Sequence, residues 1–466
     1  MNTYGTDTMM RSIRALLFIA LVISLTAGCS CFQKDSGGLE IGAVNYPDIA
    51  PDNAGGAYAI YQVYLSQQEI NQFYLQRINP DGARLWGEKG VLIGEASGDL
   101  DSGGLRVLAD DDGGAIAAWC DNWNDVMSIT KVNSQGEILW QKDIEGIKYA
   151  SHIASDGASG IIYIVDDSGM QRVDAEGNLV WDRPEFLVEN PVVDLRIISD
   201  GSGGAFVSIK GRKGDKSVYV QRIDGEGNCP WSQGAVSIFY RSSEEASTFA
   251  EEANACIATD GTGDAFVVWL ERDPEVISGS AFLMNVLRLS EGGEIIWQKR
   301  NLPGGLVGYD MFVVADNDGN ALVFWQDSSG LRAQKISPGG ELLWSGDCIY
   351  QWPDGYSYNV VADGNNGAII GSSLMEGVSD RSLRAQIIDG DSKPLFPESE
   401  GVALSDDNQV HSGRFMMSAD GEGGALFTWG SSENIYSVEH SSVQRISAEG
   451  ELLWGDSGIR LDDWNY

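Results

Sequence analysis

Short apolar runs alternate with turn-forming clusters along almost the whole chain, and two such patterns take turns. The first is an apolar stretch, an Asp, a few turn residues with Gly or Asn, and a second apolar run often ending in Trp. Its clearest copy is Asp110-Asp-Asp-Gly113-Gly114-Ala115-Ile-Ala-Ala-Trp119. The leading Asp recurs at 52, 110, 156, 200, 260, 316, 363 and 420. Five residues later stands Ala, except for Ile161 in the third copy. Four further on comes Tyr61, Trp119, Trp269, Trp325 or Trp429, with Val165, Ile209 and Ser372 as departures. The second pattern is Gln-Arg-Ile, a Gly-containing turn, then Leu-Trp, as in Gln444-Arg-Ile-Ser-Ala-Glu-Gly450-Glu-Leu-Leu-Trp454. It also occurs eight times, and its last position is Trp in every copy but one, where it is Phe396.

Each pattern reads as a β-hairpin: β-branched and aromatic runs flank Asp, Asn and Gly turns that need positive φ or side-chain-to-backbone bonding. Two hairpins make four strands per repeat, and no segment of residues 41–466 sustains a helical period. A single four-stranded sheet cannot bury both faces, whereas radial stacking covers them and leaves only short edges. The expected fold is therefore all-β: an eight-bladed β-propeller with four antiparallel strands per blade. The two Trp slots hold 11 of the 14 Trp in the chain, and a ring recurring at one slot is most simply packing between blades.

The repeats resemble secreted bacterial propeller repeats of the form Asp-Gly-x-Gly-Gly-Ala…Trp…Gln-Arg-Ile-Asp…Gly…Leu-Trp, from roughly Ile41 to Asp463. More distantly, Asp174-Ala-Glu-Gly177-Asn-Leu-Val-Trp181 is similar to the tryptophan-docking repeat of PQQ-type eight-bladed propellers. The resemblance implies the fold and is nearly silent on chemistry.

Residues 1–28 read differently. Arg11 and Arg14 precede an apolar run from Ala15 to Leu25, which is short for a membrane span and suits a signal peptide. Leu25-Thr26-Ala27-Gly28-Cys29 resembles the lipobox of bacterial lipoproteins. That implies cleavage before Cys29 and acylation there, with residues 29–40 as a tether and 41–466 as a single propeller domain. Several acyl chains hold a protein on a membrane where one does so only marginally. The other reading is a secreted protein with a Cys near its cleavage site. The expected location is the cell envelope, facing the periplasm or the exterior.

Composition narrows the partners. A formal charge of −37 opposes approach to nucleic acid and to anionic lipid, so contact with the membrane is expected only through the anchor. An envelope protein or a glycan is the expected partner of a monomeric chain. The Cys and His spacings match no zinc site, so no metal or other cofactor is expected. Asp316-Asn-Asp318-Gly-Asn320 and Asp110-Asp-Asp112-Gly113 can pass for calcium loops, but the equivalent turn also recurs without a second acid, and both read as plain hairpin turns. With no Gly-x-Ser-x-Gly, P-loop or His-Glu-x-x-His, no catalytic residues are assigned. The enzymatic alternative is hydrolysis or cleavage of an extracellular polysaccharide by carboxylates at the funnel mouth.

Topology directs the search for a site. The turns within hairpins are short and uniform, whereas the connections on the opposite face vary: 6 residues from Val165 to Gln171, but 18 from Trp269 to Leu287. Variable loops on a rigid frame are where binding usually sits. On that face lie Trp123, in a loop between second and third strands, and Trp352, beside Tyr350, Tyr356 and Tyr358. Either these aromatics anchor a ligand or they fold back over blade edges. Four residues before each recurrent Asp, the innermost strands carry Asp48, Arg106, His152, Arg196, Cys256, Phe312, Asn359 and Met416. The next residue is always apolar, which suggests one packed face and one turned to the axis. Arg106, His152 and Arg196 come from consecutive repeats and would gather donors for a carboxylate or sulfate. The competing reading pairs each Arg with a neighbouring acid.

Overall fold

The computed structural model describes residues 41–463 except 43–46, 66–67, 98–103, 122, 148–152, 166–168, 183–191, 212–216, 240–254, 273–281, 303–306, 328–329, 346–347, 351–354, 376–380, 398–400, 406–409 and 432–439. The strands form eight antiparallel sheets, each built from consecutive strands in chain order. Blade 2 shows the plan: Leu105–Ala109, Ala115–Asp121, Val126–Val132 and Ile138–Glu145 pair in sequence from the axis outward. The innermost strands follow one another round a ring, and that of blade 8, Val410–Ala419, lies against that of blade 1, Asp48–Pro51. The all-β, eight-bladed propeller expected from the repeat is the observed fold.

Blades 3 and 7, the poorest matches to the repeat, are present but thin. Blade 3 has three strands among the described residues, with the outer position marked by a bridge between Val173 and Leu179. The outer strand of blade 7 is two residues, Val402–Ala403.

The apolar core is divided among the seams. Each of the eight buried clusters joins one blade to the next. Between blades 4 and 5, Trp231 from the segment leading into an outer strand and Trp269 from a second strand share a cluster with Phe206, Val220 and Val267. The two aromatic slots of the repeat thus meet across a seam, one from each side.

A polar device accompanies every packed ring. The recurrent Asp turns its Oδ1 onto the backbone N–H two and four residues on, as Asp200 does with Ser202 (2.8 Å) and Gly204 (2.9 Å). Its Oδ2 pairs with the cation of the Gln-Arg-Ile triplet in Arg77, Lys131, Arg172, Arg222, Arg288, Lys335 and Arg445, at 2.7–3.2 Å. In all seven pairs the Asp side chain is no more than 2% exposed. The cation then reaches the following blade: Arg172 donates to Gly225 O, Arg288 to Pro338 O, and Lys131 to Ser159 O and Ala175 O. Arg445 closes the ring on Gly55 O of blade 1.

The outer-strand Trp makes the same step. In seven seams its indole N–H donates to a carbonyl in the next blade's outer turn, at 2.8–3.2 Å. Trp454 does so to Pro80 O, so the last seam is built like the others. The ring lies flat on a glycine: a Cβ on Gly227 would sit 2.7 Å from Trp181, and its φ of +84° disfavours any other residue. The Gln of the triplet ties this together within the blade, its Oε1 accepting from the N–H of the Trp ten residues on.

Blade 7 departs twice. Ile387 stands where the cation should be, so among the described residues Asp363 keeps its two backbone bonds without an ion pair. Phe396 covers Gly450, but its ring has no N–H to donate across the seam.

Two outcomes follow. Asp110→Ala leaves the Lys131 ammonium, 3% exposed, without its counter-ion, and we expect a loss of about 3–5 kcal/mol in chemical denaturation. The second concerns pH. Burial alone would raise the Asp200 carboxyl, but the Ser202 N–H, the Arg222 guanidinium, the Ser202 hydroxyl and the Gly204 N–H outweigh it and hold it below the ordinary range. Asp316 is held low in the same way, by Lys335 and Asn320. A depressed folded pKa gives stability that is complete above the unfolded value, about 4, and is lost as pH falls through the folded value. Thermal melts should therefore decline below about pH 4, and decline less steeply in Asp200→Asn.

Candidate functional site

The strand-connecting turns that carry the straps lie on one face, so the loops between second and third strands open on the other. Trp123 sits there, in blade 2, and is 80% exposed. The sequence Asp121-Asn-Trp-Asn explains how it is held. Asp121 is buried at the end of its strand, and its carboxylate accepts from the N–H of Trp123 (3.1 Å) and Asn124 (3.1 Å) and from the Asn124 amide (2.7 Å). Two residues on, Asp125 adopts φ 55°, and its carbonyl accepts from the N–H of Gly146 (2.7 Å) and Ile147 (3.0 Å), just past the outer strand. The loop is pinned at both ends while its indole faces solvent. An exposed ring on a fixed support is the arrangement that loses least entropy on binding.

At the inner strands, Asp48 is buried on the side of blade 1 that meets blade 2, where its Oδ2 accepts from Val107 N–H at 3.0 Å. Burial raises its carboxyl above the usual range, and Arg106 and the Val107 and Ile49 N–H groups oppose that rise. Arg106 is half-buried, so it serves as the nearby cation for Asp48 and donates to Leu105 O at 2.9 Å. Arg196 is different: it is exposed, and no ion pair holds it among the described residues. The described contacts of Arg106 are thus with Leu105 of its own strand and Asp48 of the preceding blade, and none is with Arg196. His152 and Trp352 lie outside the described residues, as does Cys29.

Cys256, in the same register of blade 5, is half-buried and its thiol lies 3.3 Å from Met311 O. Cys120 is fully buried, and burial, reinforced by Asp121, pushes its thiol up to about 12. Cys120 and Cys229 are free. Asp316 spends its carboxylate on Asp318 N–H, Asn320 and Lys335, the hairpin-turn arrangement rather than an open calcium loop. Among the described residues, no group of three His, Cys, Asp or Glu is placed to hold a metal ion.

Sequence reasoning missed two groups here. Asp121 was legible as an Asx-type cap two residues before an exposed Trp. The pairing of Asp48 with blade 2 was not, because it depends on which face of a three-dimensional sheet its strand presents.

No protein-family model matches the chain, and no curated protein matches it. Among solved structures it is similar to the polysaccharide lyase Uly1, at 10% identity over 77% of this chain and 92% of that one, with a TM-score of 0.46. It is similar to the C-terminal WD40 domain of Sif2, at 12% identity over 89% of this chain and 99% of that one, with a TM-score of 0.42. It is also similar to prolyl oligopeptidase B from Galerina marginata, at 13% identity and a TM-score of 0.41, covering 83% of this chain. This chain spans only 56% of that peptidase. These likenesses concern the fold alone.

Proposed function

We propose that this chain is a lipid-anchored, extracytoplasmic propeller that works as a non-enzymatic binding or scaffolding module for an envelope protein or glycan. The observation that carries the reading is Trp123, held in solvent by a loop whose backbone is fixed by Asp121 and Asp125. A ring this exposed adds nothing to the core, and large aromatics on rigid supports are the usual anchors of protein and sugar contacts. Arg196, exposed on an inner strand and without an ion pair among the described residues, is suited to a carboxylate or sulfate on the same ligand. The enzymatic alternative needs carboxylates gathered at the funnel mouth. In the inner-strand register the one acid is Asp48, which is buried and already engaged.

Affinity capture of envelope proteins and glycans by the full chain tests this. Trp123→Ala should weaken the captured interaction tenfold or more, the range of a hot-spot residue, with the melting temperature unchanged. Equal capture by wild type and variant would remove Trp123 as the anchor. Arg196→Ala should abolish stabilisation by sulfate and leave the fold intact, whereas Arg106→Ala should also lower the melting temperature by leaving Asp48 without its cation.

Anchoring rests on the Leu25–Cys29 pattern. Cys29→Ser should move the protein from the membrane to the soluble fraction and abolish labelling by a fatty-acid analogue. A variant that stays in the membrane fraction and still labels would refute the lipid anchor.

A further inference from the structure

The turn face, opposite Trp123, carries a feature that the packing does not use. The residue before each docking aromatic is Leu85, Leu139, Val180, Pro230, Ile296, Leu343, Leu395 or Leu453 in blades 1 to 8. Apart from Pro230 these are large aliphatics between 36% and 55% exposed. They are not loosely placed. In blades 1, 3, 6, 7 and 8 the N–H of this residue donates to the strand-3 residue at the cation position, such as Leu343 to Lys335 O at 2.8 Å. Together with the residue before them, they make up 11 of the 13 large hydrophobics exposed among the described residues. Beside them stand exposed carboxylates from the same turns, including Asp81, Glu137, Glu176, Glu294, Glu341 and Glu451. The outer turns therefore present a ring in which aliphatic and acidic side chains alternate.

One seam opens this ring into a cleft. Between blades 6 and 7 a cavity of about 440 Å³ is lined by Leu343, Trp344, Lys335, Asn320, Gly390 and the carboxylates Asp318 and Asp391. Where blade 3 has Arg172, whose guanidinium spans the seam to Gly225 O, blade 6 has Lys335, which reaches only Asn366 O. Gly390 is the counterpart of Gly225, and the space the missing fork would fill is left beside it. Asp318 is exposed and accepts from Asn366 at 2.8 Å, and Asp391 has a weak exposed partner in Lys393 at 3.6 Å, so both retain capacity for a stronger cation.

We infer that the turn face is a docking surface for a basic, amphipathic polypeptide, with the cleft between blades 6 and 7 as its anchor. A Lys or Arg of the partner lays its aliphatic stem along Leu343 and Trp344 and sets its charge between Asp318 and Asp391. Apolar neighbours of that residue cover Leu343 and the adjoining aliphatics. Charge complementarity selects this occupant. A second copy carries the same −37 and the same acidic ring, and an anionic lipid surface is repelled likewise. The inference is independent of the Trp123 reading, which concerns the other face.

The test is fluorescence anisotropy of the full chain with a labelled peptide alternating lysine and leucine, against a lysine–serine peptide of equal charge. The lysine–leucine peptide should bind at least tenfold more tightly. Leu343→Ser and the pair Asp318→Asn with Asp391→Asn should each cost tenfold or more. Lys335→Arg should also cost tenfold, because the guanidinium enters the cleft as Arg172 does in its seam, while the melting temperature holds or rises. Trp123→Ala should bind like the wild type. Equal binding of the two peptides, or unchanged affinity in Leu343→Ser and Lys335→Arg, overturns the inference. So would binding to zwitterionic vesicles, or self-association, that Leu343→Ser abolishes.

Discussion

The fold depends on one repeated contact: a buried Asp that caps its own turn and, through the same carboxylate, holds a cation that crosses to the next blade. Buried ion pairs are poor sources of net stability, because desolvating both charges offsets most of their attraction. Their value here lies in direction. The Asp has two backbone N–H groups on one oxygen and the cation on the other, so its geometry is over-determined. The cation then has only one way to point, across the seam. Apolar packing alone would tolerate a sliding sheet; a guanidinium aimed at a specific carbonyl sets the stagger.

This explains how so acidic a chain uses its cations. Seven of its 31 basic residues sit in straps, and the acids that outnumber them lie largely at the surface. Where a strap is altered, the consequence is local. The cleft lies beside Lys335, and Ser372, in place of an aromatic, leaves a buried hydroxyl without a hydrogen-bond partner among the described residues. In the seam between blades 7 and 8, Ile387 and Phe396 remove both polar ties. Blade 7 remains in the ring because its apolar contacts on both sides persist, through Ile370 toward blade 6 and through Leu383 and Ala385 toward blade 8.

The number of blades, their strand count and the role of the recurrent Trp were legible because repetition turns a weak local signal into a strong one. Blades 3 and 7 were legible as irregular from Val165 and Ser372. The straps were half-legible. Asp and Arg recur in step along the chain, yet nothing in one repeat says that they meet in space, because they stand on different hairpins 16 to 28 residues apart. Candidate binding residues fared unevenly for a physical reason. Trp123 stands beside its own capping Asp, so its exposure follows from local chemistry. Arg106 and Arg196 occupy equivalent positions but meet different neighbours, and the difference is set by the adjoining blades. The aliphatic ring escaped notice because Leu-Leu-Trp reads as core, and only the third residue is.

The docking of each blade on the next is head-to-tail, with donors on one side and acceptors on the other. Such an interface is heterologous: it closes into a ring only when the accumulated rotation brings the last donor to the first acceptor. Arg445 and Trp454 of blade 8 meet Gly55 and Pro80 of blade 1 through the same bonds that join blades within the chain. Nothing in the chemistry distinguishes a first blade of this molecule from a first blade of another. What favours closure within one chain is that the covalent connection holds its own blade 1 at a far higher effective concentration than any neighbour's. An open arc, in a truncated or nascent chain, would present an unsatisfied strap at one end and a bare glycine shelf at the other, the two halves of a polymer contact.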